Sequence, residues 1–166
     1  MGDDLSLNGR DAIRTPMQWS LLANGGFSTA EPEKLNRPVI SGGEFGFEKV
    51  NVTLQRHDSS SLLSWFERMI RTLREAPEVG TGSCTHVDIP GPTSVLVHRA
   101  DGETGTMVFV HNLGTETATL DLSSLAGEAE QPNDVLADQE YPELGKWDKV
   151  EVAGHGYRWI RLRRTP

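Results

Sequence analysis

The 166-residue sequence contains one cysteine, Cys84, and no long apolar run. A single cysteine cannot form an intrachain disulfide, and no stretch approaches the roughly 18 consecutive apolar residues that a membrane-spanning helix needs. Residues 1–4 are acidic, whereas a secretory signal peptide begins basic and continues apolar. These absences predict a cytoplasmic protein with no membrane partner.

Positive charge is also scarce. Sixteen Lys and Arg residues face 24 Asp and Glu residues, which gives a formal net charge of −8 at pH 7. Proteins that bind the phosphate backbone of nucleic acids need clustered lysine and arginine. We therefore expect no nucleic acid partner, whereas a neutral substrate such as a sugar is compatible with this charge.

Common metal and nucleotide motifs are absent from the sequence. The histidines His86, His98, His111 and His155 show no metal-ligand spacing with one another or with Cys84. The glycines near residue 80 lack the remaining glycine and the helix start of a phosphate-binding loop. We predict no metal site and no nucleotide site.

A segment near the start of the chain is dense in charged, amide and aromatic side chains. Arg10 and Arg14 carry planar guanidinium groups that suit carboxylates or paired sugar hydroxyls, Gln18 can donate and accept hydrogen bonds, and Trp19 offers a flat apolar face. Pro16 restricts the backbone where these side chains crowd together. The combination is typical of polyol binding.

The run 14–19, Arg-Thr-Pro-Met-Gln-Trp, resembles a signature of the α-glucosidase and trehalose synthase branch of the α-amylase superfamily (glycoside hydrolase family 13). Residues 1–7, 37–41 and 50–56 are similar to the trehalose synthases in the same order, which narrows the resemblance to that family. The resemblance extends along the whole chain and corresponds to the C-terminal portion of such an enzyme.

The resemblance implies an enzyme that interconverts maltose and trehalose by intramolecular glucosyl transfer and needs no organic cofactor. It places the run 14–19 in the loop after the eighth strand of a catalytic (β/α)8 barrel. The implied partners are maltose, trehalose or glucose, the remainder of the barrel and a maltose-using kinase.

The resemblance also implies that Arg10, Arg14 and Gln18 bind substrate, with Arg10 in the pocket for the non-reducing sugar. For Arg10 the alternative is a surface ion pair with Asp4 or Asp11. For Arg14 and Gln18 the alternative is a structural role, because anchoring a loop demands the same residue types.

No catalytic residue is predicted in this chain. A retaining glycosidase needs two carboxylates about 5 Å apart across the scissile bond, and the family's Gly-Phe-Arg-x-Asp and Asn-His-Asp motifs have no counterpart here. His57-Asp58 imitates part of one motif, but it precedes a helical pattern, where aspartate caps free N–H groups. We therefore expect the chain alone to be inactive.

Two alternatives remain open at the level of sequence. One is an α-glucosidase or sucrose isomerase of the same branch, which shares the run 14–19. The other is a non-catalytic β module that binds glucan or a partner protein.

The pattern predicts a mainly β fold, in which an antiparallel β-sandwich follows a long loop and one helix. The resemblance implies that the loop and the helix are left over from the end of the barrel. No helix or long strand is predicted before Asp58, and apolar residues at three- and four-residue spacing predict a helix from about Ser60 to Glu75. The helix's apolar stripe would favour self-association if it were uncovered.

The predicted domains are 1–78, the end of the barrel, and 79–166, the sandwich. The predicted strands are Cys84–Ile89, Ser94–Arg99, Thr106–Asn112, Thr117–Leu122, Asp134–Leu136, Lys149–Val152 and Tyr157–Arg163.

Overall fold

The computed structural model describes residues 8–128, 132–145 and 147–163, so the predicted resemblance over residues 1–7 lies outside the described part. The chain divides into two compact units between Arg68 and Met69. We call them the loop unit and the sandwich unit. The predicted domain boundary after residue 78 stays a prediction.

The loop unit is largely irregular. Its short 3-10 turns are Gly9–Ile13, Ala23–Gly26 and Pro32–Lys34. One short helix, α1, spans Val52–His57, so the prediction of no helix before Asp58 is wrong at this point. Six residues form less than two helical turns, which is too few to show an amphipathic period.

The second helix, α2, spans Leu62–Glu75 and confirms the predicted helix to within two residues. It begins after Ser61, whose hydroxyl accepts a hydrogen bond from the Ser64 N–H at 3.2 Å. A third helix, α3, spans Pro77–Thr81 and was not predicted. Pro77 ends α2, but a proline is also favourable at the first position of a new helix.

The sandwich unit contains seven strands among its described residues, as the sequence pattern predicts. The five-stranded sheet has the order β1-β2-β3-β7-β5, and β4 pairs with β6 in a second sheet; all pairings are antiparallel. The strands are β1 Ser83–His86, β2 Val95–Asp101, β3 Gly105–Asn112, β4 Ala118–Leu120, β5 Pro132–Ala137, β6 Val150–Val152 and β7 Tyr157–Arg163.

One core lies between the two sheets, which confirms the predicted antiparallel sandwich. Val108 and Ile160 of the five-stranded sheet share an apolar cluster with Leu120 and Val150 of the two-stranded sheet. Strand β3 is the middle strand of its sheet and is buried on both faces. Its run of four apolar residues predicted that central position.

The opposite face of the five-stranded sheet carries a second apolar cluster. Met107, Phe109 and Trp159 pack there with Met69 and Leu73, which lie in the last turns of α2. The last turns of α2 therefore cover part of the face of the five-stranded sheet that points away from the two-stranded sheet.

Candidate functional site

Gln18 lies at the centre of the candidate site in the loop unit. Its side chain is buried, with 5% of the residue exposed. Its amide nitrogen donates one hydrogen bond to the carbonyl of Phe45 at 2.9 Å and another to the carbonyl of Val50 at 2.8 Å. The amide of Gln18 therefore ties residue 18 to the segment 45–50.

The backbone on either side of Gln18 meets the N-terminus of α1. The carbonyl of Gln18 accepts a hydrogen bond from the N–H of Val52 at 3.0 Å, and the carbonyl of Trp19 accepts one from the N–H of Thr53 at 3.0 Å. The side chain of Asn51 accepts from the N–H of Leu54 at 2.9 Å. Three N–H groups that have no partner within the helix are therefore satisfied.

A tight turn fixes the chain after Trp19. The N–H groups of Trp19 and Ser20 both donate to the carbonyl of Gly25, at 2.7 and 3.0 Å. Asn24 adopts a left-handed conformation, with φ 53°, and its side chain donates to the carbonyls of Ser28 and Ala30 at 2.9 and 2.7 Å. Such a conformation is tolerated by asparagine more readily than by most residues.

Around this buried frame, several predicted site residues face solvent. Arg10 and Arg14 are exposed, and Trp19 is 48% exposed. Phe27 and Phe45 are exposed as well. The structure therefore separates the predicted substrate-binding residues into exposed arginines and a buried glutamine, and an exposed ring lies directly beside Gln18 in the chain.

A small hollow of about 100 Å³ lies on the loop unit. Met17, Val50 and Leu63 supply apolar lining, and Gln18 and Asn51 supply polar lining. It contains no acidic residue, so it offers an apolar contact surface rather than a charged binding site.

His57-Asp58 has a structural role, although its details differ from the prediction. His57 is the last residue of α1, and Asp58 accepts hydrogen bonds from the N–H and hydroxyl of Ser60, at 2.9 and 2.6 Å, before α2 begins. The side chain that caps α2 belongs to Ser61. These hydrogen bonds to Ser60 lower the pKa of Asp58.

Glu78 is a buried titratable residue that the sequence did not single out. One carboxylate oxygen accepts from Arg161 Nη2 at 2.7 Å and from the hydroxyl of Thr104 at 3.0 Å. Burial favours a higher pKa for Glu78, but the hydrogen bonds from Arg161 and Thr104 outweigh it and hold the pKa below its ordinary value of 4.5. The pair joins α3 to β7.

A larger hollow, about 390 Å³, lies on the sandwich unit beside Glu143, Asp148 and Lys149. Arg158 also lines it and is almost fully buried. Its guanidinium donates to Asp134, with the Nε–Oδ1 distance at 3.1 Å. The charge of Arg158 is therefore already paired within the fold.

Three histidines lie on neighbouring strands of the sandwich unit. His86 is paired in register with His98, and the ring centroids of His98 and His111 are 5.7 Å apart. Burial lowers the pKa of both His98 and His111. The charge of His86 lowers the pKa of His98 further, and the charge of His98 lowers the pKa of His111 further. Within the described ranges no cluster of His, Cys, Asp and Glu is arranged to hold a metal ion.

Known proteins resemble this chain along almost its full length, although no family model matches it. It is 33% identical over 166 residues to a trehalose synthase of Pimelobacter sp. (strain R48), a match that covers 98% of the chain and 29% of the relative. It is 32% identical over 165 residues to a trehalose synthase/amylase of Mycobacterium tuberculosis (strain CDC 1551 / Oshkosh), covering 98% of the chain and 28% of the relative. The chain belongs to the trehalose synthase family. It spans less than a third of the length of these relatives.

A solved structure supports the fold of this trehalose synthase family member. This chain is similar to the trehalulose synthase MutB from Pseudomonas mesoacidophila MX-45, with a TM-score of 0.67 and 21% identity. The match covers 96% of this chain and 27% of the MutB chain. No helix in the described part of the chain is long and apolar enough to cross a membrane. Membership of the family confirms the resemblance first seen in residues 14–19.

The substrate-binding roles of Arg10, Arg14 and Gln18 stay predictions within this family. The structure gives Gln18 two hydrogen bonds that anchor the loop, which is the structural alternative weighed for that residue. The side chains of Asp4 and Asp11, the alternative partners of Arg10, lie outside the described part. Sequence reasoning missed Asn51, although asparagine before a helix is a known capping signal.

Proposed function

We propose that this chain supplies the substrate-facing loop and the β-sandwich of an enzyme that interconverts maltose and trehalose by intramolecular glucosyl transfer. The observation that supports the proposal most strongly is the similarity of 98% of the chain to a protein named trehalose synthase. The arrangement of the candidate site in the loop unit is consistent with this role.

The loop contributes binding groups to the proposed reaction. Arg10 and Arg14 are exposed, and each guanidinium offers several N–H donors to sugar hydroxyls. Trp19 presents part of an apolar ring, which suits the flat face of a pyranose. In this proposal the arginines and Trp19 orient the sugar, while the carboxylates that break and remake the glycosidic bond belong to another part of the enzyme.

A chimera tests this proposal. The matching segment of the Pimelobacter trehalose synthase is replaced by this chain, and the purified chimera is incubated with maltose. We expect trehalose, resolved chromatographically from maltose and glucose. A matched chimera with Arg14→Gln should retain its fold by circular dichroism and make less trehalose, because one guanidinium contact to the sugar is lost.

Incubating the same chimera with maltose and, separately, with sucrose distinguishes the alternatives from the same branch. A folded chimera that releases only glucose from maltose would favour an α-glucosidase. A chimera that converts sucrose to an isomer, and leaves maltose unchanged, would favour a sucrose isomerase. Either outcome contradicts the proposed maltose–trehalose reaction.

A further inference from the structure

We propose that Gln18 is a positioning residue, which fixes the loop that carries Arg14 and Trp19 on the N-terminus of α1 and does not itself contact sugar. The hydrogen-bond network follows from the geometry of the loop unit alone. Its purpose, the presentation of Arg14 and Trp19 to a sugar, rests on the proposed function.

The side-chain amide of Gln18 is fully committed as a donor. A primary amide nitrogen has two hydrogens, and those of Gln18 go to the carbonyls of Phe45 and Val50. The residue is also 95% buried, so a sugar ring cannot approach this nitrogen without displacing the loop. For this nitrogen to donate to a sugar, at least one of the two hydrogen bonds would have to break.

The second half of the network is made by the backbone. The carbonyls of Gln18 and Trp19 accept from Val52 and Thr53, the first two residues of α1, and the hydroxyl of Thr53 donates to the Trp19 carbonyl at 3.0 Å. Residue 18 is therefore held from its side chain and from its backbone at once. The amide of Gln18 sets where these two carbonyls lie against the helix.

The exposed groups flank this fixed point. Trp19 follows Gln18 directly and is half exposed, and its N–H is held by the carbonyl of Gly25 at 2.7 Å. Gly25 has a φ of +63°, and a Cβ there would lie 3.2 Å from Val39 Cγ1, so the turn leaves little room for adjustment. Fixing residue 18 therefore fixes the backbone from which the Trp19 ring projects.

Fluorine NMR of the full chain labelled with 5-fluorotryptophan tests the proposal without any turnover. The chain has four tryptophans, and Trp19→Phe identifies the Trp19 resonance. Gln18→Met keeps the length of the side chain and removes both donors. We expect it to shift or broaden the Trp19 resonance and to leave those of Trp147 and Trp159 unchanged. Gln139→Met, at an exposed glutamine of the sandwich unit, is the matched control and should move none of them.

An unchanged Trp19 resonance in folded Gln18→Met protein would overturn the proposal. A residue that contributed only to global stability would lower the unfolding midpoint and leave the Trp19 resonance of the folded chain in place. If the resonance moves while the chimera makes no trehalose, the proposed function fails and the positioning role stands.

Hydrogen exchange in the unaltered chain decides the question if Gln18→Met does not fold. The side-chain amide hydrogens of Gln18 should exchange about tenfold or more slowly than those of Gln139, because Gln18 is buried and donates both hydrogens to backbone carbonyls. Exchange of the Gln18 amide at the rate of Gln139 would contradict the network and overturn the proposal.

Discussion

Glu78 lies fully buried at the start of α3 and accepts hydrogen bonds from Arg161 and Thr104. Glu78→Ala would leave the guanidinium of Arg161, which is 14% exposed, without its carboxylate partner. Removing one partner of a buried ion pair typically costs about 3 kcal/mol or more. We expect a loss of that size in the free energy of unfolding, measured by urea denaturation.

The control for this variant is Glu140→Ala, at an exposed glutamate, which should change the free energy of unfolding by less than about 0.5 kcal/mol. Glu78→Gln keeps the shape and one acceptor oxygen, so its loss should fall between the two. Equal stability of Glu78→Ala and Glu140→Ala would show that the buried pair does not hold α3 against β7.

His98 and His111 predict a pH dependence of the sandwich unit. Burial lowers the pKa of both in the folded chain, so below their ordinary value of 6.5 the unfolded chain binds protons first. The stability that depends on neutral His98 and His111 should therefore be fully present above pH 6.5. The free energy of unfolding should fall as the pH drops below that value. Urea denaturation at pH 7.5 and 5.5 measures the difference.

Replacing both histidines, as His98→Gln with His111→Gln, should flatten this dependence between pH 7.5 and 5.5. His57→Gln is the control, because His57 is exposed and belongs to the loop unit. If the double variant loses as much stability on acidification as the parent, groups other than these histidines control the response.

Among the elements, helix α1 depends on Asn51 for its start. Asn51 is buried; its side chain accepts from the N–H of Leu54 and donates to the carbonyl of Phe47 at 2.8 Å. Asn51→Ala removes both bonds and should destabilise the helix by about 1–2 kcal/mol. The expected result is faster hydrogen exchange at Leu54 and Gln55.

Asn36→Ala, at an exposed asparagine outside any helix, should leave the exchange of these two amides unchanged. The prediction for α1 fails if Leu54 exchanges equally fast in the two variants. Exchange at Ile160 of β7 serves as the internal reference, since that residue lies in the sandwich unit.

The elements differ in how far the sequence predicts them. The apolar stripe of α2 and the run Met107–Val110 carry their own periodicity, so α2 and the central position of β3 follow from local pattern. Helix α1 does not, because its first N–H groups are satisfied by carbonyls 34 positions earlier in the chain. For the same reason the sequence pattern could not decide whether Gln18 binds a sugar or anchors the loop. The carbonyls to which its side chain donates lie 27 and 32 positions away.

The functional residues also divide into those that local sequence indicates and those that depend on distant contacts. The run 14–19 indicated the branch of the superfamily, and residues 1–7, 37–41 and 50–56 narrowed it to the trehalose synthase family, which the relatives confirm. The burial of Glu78 was not predictable from local pattern, because its partner Arg161 is 83 positions away in the sequence.

For the whole molecule, we predict that the isolated chain does not convert maltose, because the sequence contains no counterpart of the family's catalytic carboxylate motifs. The purified chain is incubated with maltose, and trehalose and glucose are resolved chromatographically. Circular dichroism of the same sample confirms that it is folded. Trehalose from the isolated chain would mean that it holds a catalytic site absent from the motifs considered above.

The most direct measurement of the central claim is the yield of trehalose from maltose by the chimera with the Pimelobacter enzyme. We predict trehalose from the chimera and none from the isolated chain under the same conditions. A folded chimera that forms no trehalose, or that only hydrolyses maltose to glucose, would contradict the proposal that this chain serves a trehalose synthase.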